Sequence, residues 1–237
     1  MPDSSPNPEL LRSLGRLLRG LSALFWGLPI ALIVCVQTAK ADWLGSFGIF
    51  LPLLVTGWLL YGLWQLQHFQ KQERIWRNAL DRAQLFAWVN LGLSPFLYCW
   101  NKMPGHAFFG PMVALLAVSG LIFLSCINLV LQRLSAMLPD ETLRLETKHF
   151  TTVNRGLLLA AAALAIIYHA VVRFQSMPLE ATLFLEQLES QGRWLIIFKF
   201  LPLAIFVLLP LAMTMALLWK IKETILKSVF DSEHRSS

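Results

Sequence analysis

With 56% of its 237 residues hydrophobic and only 14% charged, the chain is not an ordinary soluble domain; its apolar stretches are long enough to lie in a bilayer. Its 20 Lys and Arg outnumber its 14 Asp and Glu, but their placement beside apolar segments matters more than their sum, and no nucleic-acid partner is expected. Cys35, Cys99 and Cys126 all sit in apolar segments without C-x-x-C spacing, so neither a disulfide framework nor a zinc site is indicated.

Residues 1–8 are polar and proline-rich and are expected to be disordered. Asn7 then reads as a helix cap, with Pro8 at the first helical position. Leu10, Leu11, Leu14, Leu17, Leu18 and Leu21 follow at helical spacing, and Arg12, Arg16 and Arg19 lie on other faces. That pattern predicts an amphipathic helix at a membrane surface, so that residues 1–20 form a cytoplasmic tail and surface helix.

Six spanning segments follow, within a membrane domain over 21–219. The first, 21–39, carries no charge; Ala39-Lys40-Ala41 after it could be a signal-peptide cleavage site, but the apolar run is long for one and an uncleaved anchor is expected. The second is 45–66. A charged segment over 67–84 has Phe69, Trp76, Ala79, Leu80 and Ala83 on one face and predicts a second surface helix. The third span, 85–100, is short and contains Asn90, Gly92, Ser94 and Pro95.

The fourth span, 107–131, has Gly110, Ala114, Ala117 and Gly120, small residues that predict close approach of another helix. Residues 132–155 are charged again, and the fifth span is 156–174. Pro178 to Gln191 reads as a short amphipathic helix. Pro202 and Pro210 should kink the sixth span, 194–219. Residues 220–237 form a cytoplasmic tail in which Ile221, Ile225 and Val229 continue a helical stripe before a disordered end from Asp231.

An internal repeat organises these segments. Phe86 to Leu93 and Phe150 to Leu157 share the pattern F-x-x-V-N-x-G-L, with a looser echo at Leu14, Leu17, Gly20 and Leu21. Each copy leads to a helix opening on Phe-x-Pro, at Pro52, Pro111 and Pro202. The reading is an all-α, polytopic helical membrane protein: six transmembrane helices in three related hairpins, with cytoplasmic amphipathic helices. Orientation follows from the bases. Fifteen Lys and Arg fall in the N-terminus, 67–84, 132–155 and the C-terminal tail, against five in the alternate connections. Both termini are therefore expected on the cytoplasmic side of a cell membrane, the inner membrane in a bacterium.

Four residues form the candidate intramembrane polar site. His169 shares a row with Ala161 and Ala165 and marks a possible polar path. Lys199 lies just inside the outer end of its span, where its long stem can reach the headgroups. Asn90 and Asn154 recur with the motif, either bonding neighbouring helices or lining a common site between hairpins. No span contains Asp or Glu, and no P-loop, dinucleotide, zinc-protease or G-x-S-x-G motif is present. No catalytic residue, cofactor or metal is expected. The expected role is a non-catalytic structural, assembly or regulatory component, with the lipid bilayer and another membrane protein as partners; the alternative is a small-solute transporter or channel subunit.

Overall fold

The structure is a computed structural model that describes residues 8–40, 48–69, 73–103, 105–137, 141–174 and 193–234, without the side chains of 8–11, 143, 165, 167–174, 193–206 and 228–234. All regular structure among the described residues is helical: α1 (Pro8–Lys40), α2 (Phe50–Leu66), α3 (Arg74–Leu93), α4 (Pro95–Lys102), α5 (Phe109–Ala136), α6 (Glu141–Phe174) and α7 (Arg193–His234). Two stretches, Arg12–Lys40 and Phe109–Ala136, are long and apolar enough to cross a membrane, and Phe50–Leu66 is apolar but shorter. The expectations for residues 1–7 and for a helix over 178–191 lie outside the described residues.

The helices are more continuous than the alternation of charge and hydropathy predicts. The expected surface helix over 8–20 and the first span are one helix, and so are 74–84 with the start of the third span. Charged residues 141–155 likewise run without a break into the apolar part of α6. The cause is local: a change from polar to apolar side chains does not interrupt the backbone ladder, and no proline stands at any of these junctions. The same holds at the C-terminus, where α7 continues through Asp231 to His234 instead of ending in a disordered tail.

The break falls inside the third span instead. The Ser94 N–H donates to the Asn90 carbonyl at 2.9 Å, and its hydroxyl to the Leu91 carbonyl at 2.9 Å, closing the last turn of α3. Pro95 then occupies the first turn of α4, where its missing N–H costs nothing.

In space α1 packs on α2, α2 on α3, α3 on α5, α5 on α6 and α6 on α7, and α7 returns to α1, so the bundle closes on itself. Its core takes Leu17, Leu21 and Leu24 from α1, Leu63 and Leu66 from α2, Trp76 and Leu80 from α3, Ile127, Leu131 and Leu134 from α5, and Leu218, Ile221 and Ile225 from α7. The tightest crossing joins α1 and α2. A Cβ on Gly20 would stand 2.8 Å from the Gly62 carbonyl oxygen, and one on Gly62 3.3 Å from that of Gly20. Only glycine lets two backbones meet this closely.

The small residues of α5 do something else. Among the described residues, a Cβ built at Gly110 or Gly120 meets nothing within 4 Å, so no described atom makes the expected close approach there. Ala117 and Gly120 border a cavity instead.

Candidate functional site

Among the described residues, two groups of buried polar side chains join different helices by hydrogen bonds. In the first, the Ser119 hydroxyl on α5 donates to Asn90 Oδ1 on α3. The second joins three helices around Thr214 of α7. Asn154 on α6 donates from Nδ2 to Thr214 Oγ1 at 3.0 Å and to the Pro210 carbonyl at 3.1 Å. Asn128 on α5 donates to the same hydroxyl at 3.0 Å and to its own Leu124 carbonyl at 2.9 Å. Thr214 in turn donates to the Pro210 carbonyl at 2.8 Å, a bond back along its own helix.

The two motif asparagines therefore do not meet at one site, but they occupy the same register. Ala83, Ala87, Asn90, Ser94 and Leu97 are all buried, and so are Thr147, Thr151, Asn154, Leu158 and Ala161 at a constant offset of 64 residues. Gly92 and Gly156 are both exposed. The partner positions agree too: Ser119 stands eight residues beyond Pro111, and Pro210 eight beyond Pro202. The looser first copy breaks this register. Leu18, in the place of the asparagine, is half-buried, while α1 buries Leu17, Leu21 and Leu24, the face set by the Gly20–Gly62 crossing.

Sequence reasoning passed over Asn128 and Thr214. The available signal was Asn128 itself, a carboxamide inside a long apolar run; its partner lies 86 residues away, and nothing local marks Thr214. His169 and Lys199 are helical positions on α6 and α7, and their side chains lie outside the described residues.

Not every buried polar atom is paired. Thr147 Oγ1, Thr151 Oγ1 and Asn154 Oδ1, on one face of α6, and Trp76 Nε1 on α3 have no hydrogen-bond partner within the described structure. Such atoms typically cost about 1–3 kcal/mol each when nothing meets them.

The cavity lies among all seven helices and measures about 420 Å³. Leu28, Leu59, Leu97, Phe123, Leu124 and Leu211 supply much of its wall, and small residues Ala87, Ala117, Gly120 and Ala161 leave the room. Among its polar wall residues, Thr56 donates to the Pro52 carbonyl at 2.7 Å, and Asn90 accepts from Ser119 through its Oδ1. Cys35 also borders it, as a free cysteine.

At the charged ends, Lys220 pairs with Glu146 across α7 and α6, and Lys227 with Glu223 at 2.8 Å along α7. The Lys227 hydrogen bond and charge hold the Glu223 carboxyl below its ordinary value. Among the described residues no group of three or more His, Cys, Asp and Glu could hold a metal ion.

No family model matches the chain, and no curated protein or solved structure shows significant similarity to it.

Proposed function

We propose that this chain is a polytopic protein of a cell membrane, with six spans and both termini cytoplasmic. In this reading it acts without chemistry of its own, as a structural, assembly or regulatory component for a partner in the same membrane. One observation carries the membrane reading. Where the helices turn away from each other they expose large apolar side chains, among them Trp26, Ile33, Leu54, Trp58, Leu115, Ile122, Leu159 and Ile166. So many exposed large apolar side chains are costly in water, whereas hydrocarbon accepts them. The 42 residues of α7 extend about 63 Å at 1.5 Å per residue, enough to cross a core of about 30 Å and continue into the cytoplasm.

The shared register of α3 with α6, and of α5 with α7, supports a relation between the second and third hairpins. Carboxamides and hydroxyls joined to each other supply rigidity, not a proton relay, which favours a structural role. Transport of a polar solute stands second, because the wall of the cavity has few free polar groups to replace a hydration shell.

Reporter fusions after Lys40, Lys102 and Ser190 test the topology, and all three are expected outside; cytoplasmic signals from any of them overturn it. Photoreactive residues walked around the outward positions test the partner. Discrete protein adducts over a contiguous set are expected, and lipid adducts alone at every position overturn the assembly role.

A further inference from the structure

We propose that the central cavity is a binding site for one hydrocarbon chain of a membrane phospholipid. The inference rests on the reading that the bundle lies in a bilayer, and it adds a ligand to that reading.

Its size suits a small apolar ligand. About 420 Å³ falls within the roughly 300–1,000 Å³ of small-ligand sites.

Polarity disfavours water and polar solutes. A buried water needs two to four polar partners, and apolar cavities smaller than this one stay dry and take up hydrocarbons. Here the Thr56 hydroxyl is turned to its own backbone, and the Asn90 carbonyl oxygen is taken by Ser119. Cys35 behaves as a small hydrophobe. What the wall offers is Leu28, Leu59, Phe123, Leu124 and Leu211, which recognise methylene groups by contact alone.

Access follows from the gradient of exposure. Leu59, Ala87, Leu97 and Phe123 are buried, Leu32, Cys35 and Leu116 are half-buried, and Ala117 is exposed. The cavity therefore opens past the small residues Ala117 and Gly120 of α5. Around a membrane bundle the molecules at such an opening are lipid chains, present at the highest concentration of any apolar ligand.

The test uses the full chain in phosphatidylcholine vesicles containing a phosphatidylcholine with a diazirine midway along one acyl chain. After irradiation, peptide mass spectrometry should find adducts at the buried wall residues Leu97, Leu124 and Ala161, besides the outward positions Leu115 and Ile122. Gly120→Trp fills the cavity and should reduce the inner adducts at least tenfold while sparing the outward ones. Gly120→Leu should reduce them by less, and serves if the tryptophan variant does not fold. Gly110→Trp, at an open position outside the cavity wall, should change neither set. Adducts confined to the outward positions, or inner adducts undiminished by filling, overturn the chain site while leaving the membrane reading intact. Inner adducts from a diazirine fatty acid but none from the phospholipid overturn the phospholipid assignment. Absence of adducts on both faces removes the membrane reading as well.

Discussion

Asn154 donates its side-chain amide to the main-chain carbonyl of Pro210 at 3.1 Å, joining α6 to the proline-bearing turn of α7. The same amide nitrogen also reaches Thr214, whose hydroxyl receives Asn128 from α5. Three helices thus meet through one hydroxyl, and removing any member changes the surroundings of the others.

Double-mutant cycles measure that sharing. Asn128→Ala and Asn154→Ala should each destabilise the bundle by about 1 kcal/mol, in line with interhelical hydrogen bonds in membranes. Combined, they should depart from additivity by about 0.5 kcal/mol or more, because both lose the same acceptor. Asn90→Ala with Asn154→Ala should be additive, since their partners are distinct. Reversible unfolding in bicelles gives all of these energies. Additive behaviour of the first pair would show that the shared hydroxyl does not couple them.

At the α1–α2 crossing, Gly20→Ala drives a Cβ toward the Gly62 carbonyl oxygen, a main-chain atom that cannot swing aside. The expected cost is about 1–3 kcal/mol, as for overpacking elsewhere. Gly57→Ala, on the same helix as Gly62, meets nothing within 4 Å and should be neutral or gain up to about 1 kcal/mol of helix propensity. Thermal melting should fall for Gly20→Ala and stay level or rise for Gly57→Ala. A fall for both, of similar size, would mean that the close approach is not what the glycine provides.

Glu223 gives a pH prediction with a definite sign. Its carboxyl lies below the ordinary value because of the Lys227 hydrogen bond first and the Lys227 charge second. A lowered value in the folded state means stabilisation that is present above the unfolded carboxylate range and lost as pH falls through the lowered value. The pair is exposed at the surface, so melting temperature should change little in Lys227→Met. Carboxyl titration by NMR should nevertheless show Glu223 moving upward in that variant; no movement would sink the assignment.

For His169 the spacing from buried Ala161 through Ala165 predicts a position facing other helices. His169→Leu should then weaken folding more than His169→Gln, which retains a donor and an acceptor. A cysteine placed there, in a chain lacking Cys35, Cys99 and Cys126, should react slowly with bulky aqueous thiol reagents. Efficient cross-linking of position 169 to lipid probes would place it on the outside of the bundle.

Local patterns in the sequence were legible. The helices, the start of α1 at Pro8, and the two motif asparagines could be read from spacing and composition, because each depends on neighbours within a few turns. The pairing of Asn128 with Thr214 could not, since it joins residues 86 positions apart. Continuity across charged and apolar segments was missed for another reason: hydropathy reports the surroundings of a helix, not the integrity of its backbone. The glycines were misjudged in the same way. Gly110 and Gly120 looked like a packing seam, whereas Gly20 and Gly62, on different helices, make one. Small side chains show where backbones could meet, and which of them do is decided by the whole bundle.

The separation between Asn128 and Thr214 also sets a clock for biogenesis. Translation at roughly 5–20 residues per second takes about 4–17 s to make the 86 residues between them. Through that interval the carboxamide of α5 is in place while the hydroxyl that completes its bonding does not yet exist. The α1–α2 pair has no such debt, because Gly20 and Gly62 can close as soon as the second helix emerges. The N-terminal hairpin can close early, and α5 and α6 must wait for α7 before their buried carboxamides are joined through Thr214.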